Sequence, residues 1–206
     1  MTQDVTSTAA RGQRPVNRRW RTVDIVVAAV VAVAFGVVFV AWGAMYTAVG
    51  PVFAGFKPAQ AVLYGMWLLP GVLGGLLIRK PGAAVFTELV AAAVSAFLGV
   101  DSPLAIILYG LVQGLAAELV FAAFRYRRWR PPVALLAGAV AGVVPAVMDN
   151  VLYNVAWAPT WKLVYGVLVV VSSVVIAGAG SFALVRALAA TGVLAPFASG
   201  REQTPR

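Results

Sequence analysis

The chain has 206 residues, of which 62% are hydrophobic and only 11% charged. A soluble domain holds about 45–50% apolar and about 25% charged residues, so this composition excludes a water-soluble globule and implies an integral membrane protein. Zero cysteines and zero histidines exclude disulfides, thiolate chemistry and the commonest general base and metal ligand. The net charge of +9 does not indicate nucleic acid, because Lys and Arg fall beside the ends of apolar runs, where membrane topology accounts for them.

Residues 1–22 form a polar tail carrying Arg11, Arg14, Arg18, Arg19 and Arg21. The apolar run that follows, Val23 to Val49, reaches about 40 Å as a helix at about 1.5 Å per residue, too long for a cleaved signal core and right for a tilted first span. Gly50, Pro51, Gly55 and Pro58 predict a loop, and Ala59 to Ile78 a second span. A basic turn, Arg79 to Gly82, leads to a third span ending near Gly99, and Asp101, Ser102 and Pro103 turn the chain into a fourth, Leu104 to Phe124. Arg125, Arg127, Arg128 and Arg130 with Pro131 and Pro132 end that span. A fifth runs from Val133 to Trp157 with a kink expected at Pro145, and a sixth from about Leu163 to Ala190. The expected architecture is all-α: a six-helix transmembrane domain over 23–190, with a loosely ordered tail over 191–206. Fourteen of the sixteen Lys and Arg residues fall on one side, which places both termini in the cytoplasm.

Three acids lie inside apolar segments: Glu88, Glu118 and Asp149. A charged group in hydrocarbon costs at least about 2.5–3.5 kcal/mol, so each faces the protein interior or a wet cavity. With no Lys, Arg or His in the middle of any span, this imbalance points to a cationic or amine-bearing guest. On the second span Gln60, Tyr64, Trp67, Gly71 and Gly74 follow helical spacing, stacking polar and aromatic groups over glycine. On the fifth, Asp149, Asn150, Tyr153, Asn154 and Trp157 crowd one end. Gln113 shares a face with Tyr109. Glu88 and Glu118 lie at similar depth and either face one another or pair with Arg79, Lys80 or Arg125 at the membrane edge. Ala28, Ala32 and Gly36 make a seam of small residues that lets another helix approach, either from within the chain or from another subunit. No nucleotide-binding loop, zinc-protease motif or nucleophile elbow is present, so no catalytic residue, metal or cofactor is expected.

At Tyr64–Trp67 (YGMW), Ile78–Ala84 (IRKPGAA) with Glu88, Leu111–Phe121 (LVQGLAAELVF) and Thr191–Leu194 (TGVL), the chain resembles the YkoE family of substrate-binding S components of energy-coupling-factor (ECF) vitamin transporters. The likeness covers roughly residues 20–195; Ala116 stands where the family usually has Gly. The resemblance implies an ECF S-component-like six-helix bundle in a prokaryotic plasma membrane. It also implies capture of thiamine or its hydroxymethylpyrimidine moiety from outside, and docking on a transmembrane coupling subunit driven by two ATP-binding subunits. The seam of Ala28, Ala32 and Gly36 would then be the docking face. Thiamine carries a thiazolium cation and an aminopyrimidine. Tyr64, Trp67 and Tyr153 would supply aromatic faces, an acid among Glu88, Glu118 and Asp149 would balance charge or accept from the amino group, and Gln113 with Asn150 would read the pyrimidine edge. The alternatives are an S component for a different vitamin, an integral membrane enzyme acting on a lipid or isoprenoid substrate, or a scaffold for another membrane complex.

Overall fold

The computed structural model describes residues 18–99 and 102–201. Arg11 and Arg14 of the basic tail, Asp101 of the third turn and residues 202–206 of the other tail lie outside them. In lipid every backbone N–H and C=O must find its partner within the segment, and a chain this apolar answers with helices; among the described residues there is no strand. The helices are α1 (Thr22–Val49), α2 (Leu69–Ile78), α3 (Ala83–Phe97), α4 (Pro103–Ala123), α5 (Pro131–Leu152), α6 (Pro159–Ser172), α7 (Ser181–Ala190) and the short α8 (Ala198–Arg201). A 3-10-wound segment, Gly50–Leu68, leads into α2, and a π-wound segment, Ser173–Gly180, joins α6 to α7.

The stretch Thr22–Ile78 is two helical arms, the first and second spans, with helical turns where a loop was expected between them. It folds back on itself at Phe56, whose φ of −150° and ψ of 71° break the helix just before Pro58. The two arms are tied where the Trp42 indole N–H donates to the Leu63 carbonyl at 3.1 Å and the Gln60 amide to the Tyr46 carbonyl at 2.6 Å. Pro103–Ala123, Pro131–Leu152 and Pro159–Ala190 are also long and apolar enough to cross a bilayer, whereas Ala83–Phe97 has only 15 residues. At about 1.5 Å per residue it falls short of the roughly 30 Å hydrocarbon core.

The centre of the bundle is α2, all ten of whose residues are buried. Phe121 and Val120 of α4, Ala83 and Ala84 of α3, and Ala134, Ala137 and Ala141 of α5 pack around it. The sidedness of α1 corrects one expectation. Its valines 26, 30, 33 and 37 are exposed and suit a lipid face, but Ala28 and Ala32 are fully buried and Gly36 is buried with them. A Cβ at Gly36 would lie 2.5 Å from Val94 Cβ and 2.9 Å from the Ala91 carbonyl, so the seam is filled by α3 of the same chain. Ala28, Ala32 and Gly36 are not an open docking face: small-residue spacing reports close approach but not which helix approaches.

Two boundaries also differ from the sequence reading. The fifth helix stops at Leu152, because the Tyr153 and Asn154 N–H groups both donate to the Asp149 carbonyl at 2.8 Å and close the last turn. The segment from Thr191 is not loose as far as Arg201. Leu194 and Phe197 are buried, and the Ser199 hydroxyl donates to the Leu77 carbonyl at 3.0 Å. Apolar side chains at 194 and 197 give this stretch a reason to pack that its polar neighbours conceal.

Candidate functional site

α1, the Gly50–Leu68 segment and α3 to α6 enclose a cavity of about 960 Å³. Its aromatic wall is built at the hairpin of the first long helical run, where the Trp67 ring meets Tyr46 at 5.0 Å and Tyr64 at 5.3 Å, both edge-on. Tyr109 of α4, Tyr165 of α6, Phe39 of α1 and Trp157 add further rings, and Tyr153, largely exposed, also lines the cavity. Gln113 is buried on the α4 wall, and Gln60, Ser95 and Asn154 contribute polar groups. Among the described lining residues the acids are Glu88 and Asp149, and the one base is the exposed Lys57.

Asp149 is brought into the wall by α5 and held by phenols. The Tyr109 hydroxyl donates to Oδ1 at 2.6 Å and the Tyr165 hydroxyl donates to Oδ2. Tyr64 stands near enough to interact with the same carboxylate. The phenols thus donate to both oxygens of the buried carboxylate, and no base among the described residues pairs with it. Glu88 is 1% exposed: its Oε2 accepts the Gly71 N–H at 2.6 Å, while Oε1 is buried with no hydrogen-bond partner among the described residues.

Six of the eight residues expected to bind substrate therefore meet at one cavity: Tyr64, Trp67, Glu88, Gln113, Asp149 and Tyr153. Glu118 does not line it. Its carboxylate accepts the Gly82 N–H at 2.7 Å, the Ala84 N–H at 2.9 Å and the Tyr126 hydroxyl at 2.7 Å. It thus caps the first turn of α3, where helix N–H groups have no carbonyl of their own, and neither faces Glu88 across a pocket nor pairs with Arg79, Lys80 or Arg125. Burial and the hydrogen bond to this carboxylate push the Tyr126 phenol well above its ordinary range, keeping it a donor. Asn150 also lies off the lining; its amide donates to the Ala146 and Lys162 carbonyls at 2.8 and 3.0 Å and ties α5 to α6. Depth and polarity alone mark such residues as unusual, but only the packing decides between guest and backbone.

Tyr46 and Tyr165 escaped the sequence reading because a tyrosine near a helix end looks like an interface anchor. The helical spacing of Tyr109 from Gln113 was visible, but its partner Asp149 is 40 residues away.

A helical membrane bundle hollowed by an acid-bearing aromatic cavity has the form of a membrane substrate-binding subunit. The comparisons with known proteins place it further. A family model described as the permease component of an ABC-type cobalt transport system matches residues 23–144. YkoE of Bacillus subtilis (strain 168), whose name gives it as an HMP/thiamine permease protein, is 37% identical over 187 residues, 90% of this chain and 92% of that one. A crystal structure of an S component of an ECF transporter matches with a TM-score of 0.81 and 36% identity, covering 89% of this chain and 93% of that chain. The chain belongs to the S components of ECF transporters, in the YkoE family; it is a transport protein and not an enzyme.

Proposed function

We propose that this S component captures thiamine or hydroxymethylpyrimidine from outside the cell and delivers it through a coupling subunit driven by two ATP-binding subunits, with both of its own termini in the cytoplasm. The observation that carries the substrate is the cavity itself, two buried carboxylates set in a wall centred on Trp67. A thiazolium over an indole or phenol face gains about 0.5–2 kcal/mol, and more when dry. Asp149, satisfied by phenols and not by a base, supplies the balancing charge; Glu88 Oε1, an acceptor without a donor, suits the exocyclic amine of the pyrimidine. The amide of Gln113 is left to read the ring edge, and the name of the Bacillus subtilis relative supports the same ligands.

Calorimetric titration of the purified protein against thiamine, hydroxymethylpyrimidine, riboflavin and Co²⁺ tests this reading. Saturable heat with thiamine or hydroxymethylpyrimidine and none with riboflavin is expected. Cobalt enters because the matching family model names it. Against it as cargo, no group of three or more His, Cys, Asp or Glu among the described residues could hold a metal. Binding of Co²⁺ alone would overturn the proposal.

A further inference from the structure

Gly71 is the third residue of α2, directly after Pro70 and at the switch from 3-10 to α winding. Glu88 of α3 takes the Gly71 N–H on Oε2 at 2.6 Å. The other oxygen of the same carboxylate, Oε1, is buried without a partner, and Glu88 lines the cavity. Both neighbouring helices come close to this side chain. A Cβ at Gly71 would lie 2.8 Å from Glu88 Oε2 and 3.2 Å from Glu88 Cβ, and on the α4 side a Cβ at Gly114 would lie 3.0 Å from Glu88 Cβ. The side chain is thus confined between two backbones, with α2 wholly buried behind it.

We propose that Gly71 is a positioning residue for substrate recognition: its amide clamps Oε2 of Glu88 and so presents Oε1 to an N–H donor of the ligand. This rests on the reading of the cavity as the thiamine site. The clamp requires glycine, because any side chain at 71 displaces the carboxylate it should hold. The Gly71 amide thus holds one oxygen and leaves the other for the guest.

The test is a titration of thiamine against the wild-type protein, Gly71→Ala, Glu88→Ala and the double variant. Losing a hydrogen bond to a charged group corresponds to about 10- to 100-fold in affinity, expected for Gly71→Ala and at least matched by Glu88→Ala. The double variant should bind no more weakly than Glu88→Ala, because the clamp has nothing left to hold. The preference for thiamine over its 4-oxo analogue oxythiamine should fall in Gly71→Ala, whereas mere loosening of the fold would weaken both alike. Wild-type affinity in Gly71→Ala beside a weakened Glu88→Ala would overturn the clamp and leave the cavity reading standing. An equal further loss in the double variant would also overturn it. Wild-type affinity in Glu88→Ala would sink the role of Glu88 and the clamp together. Where Gly71→Ala does not fold, Glu88→Asp decides: one methylene shorter, it cannot hold the Gly71 N–H and face the ligand together, so wild-type affinity there overturns the proposal.

Discussion

Trp67 is buttressed edge-on by Tyr46 and Tyr64, which fixes its indole while leaving a face for a guest. Trp67→Ala should weaken thiamine binding by about 1–3 kcal/mol, roughly 5- to 150-fold, with a smaller loss in Trp67→Phe, both measured by calorimetry. Asp149→Asn removes the charge and keeps one acceptor oxygen, so that one of the Tyr109 and Tyr165 hydroxyls must turn to accept from the new amide; thiamine should lose more affinity than neutral hydroxymethylpyrimidine, and equal losses would reassign Asp149 to shaping the wall. Glu118 gives the contrast. Replacing it with Ala strands two backbone N–H groups and a phenol, at about 1–3 kcal/mol for each buried donor, so the melting temperature should drop while the dissociation constant for thiamine stays put. The three acids inside apolar segments, Glu88, Glu118 and Asp149, look alike in the sequence. One holds a helix end, one lies among phenols and one divides its two oxygens between a helix and the cavity.

Among the elements, the long first run shows what periodicity conveys and what it hides. The apolar stretches and the glycine and proline breaks locate the helices, yet a 3.6-residue period says nothing of a segment wound as 3-10 or π. The 3-10 segment is tied to the last residue of α6, Ser172, just before the π segment: its hydroxyl accepts the Gly65 N–H at 2.9 Å and donates to the Val62 carbonyl at 2.7 Å. The pairing spans more than 100 residues and has no local trace in the chain. The seam on α1 was legible as a close contact, and its partner was not, because Ala91 and Val94 of α3 carry no mark of facing it. Ala32→Leu should therefore overpack the α1–α3 contact and cost about 1–3 kcal/mol, seen as a lower melting temperature of the isolated protein. Unchanged melting with transport lost would restore the docking role.

For the whole molecule, composition and charge distribution carried most of what could be read: membrane residence, helical class and an orientation proposed from the basic residues. The absence of cysteine makes the orientation simple to check, since any introduced thiol is unique. Lys57→Cys should react with a membrane-impermeant maleimide added to intact cells, and Arg128→Cys only after permeabilisation; the reverse pattern would invert the topology. What composition could not show is how the Arg-rich end is closed. There Asp24 accepts from Arg21 and Lys80, Arg21 reaches the Pro196 carbonyl at 3.3 Å, and Leu194, Phe197 and Ser199 cover the end of α2. The covering piece is translated after every helix it covers. Until those residues leave the ribosome, the last turn of the central helix has no lid, and the inserted bundle must wait in the membrane with that end open. A chain shortened to end at Ala190 should therefore be cut by protease at this end far faster than the full chain.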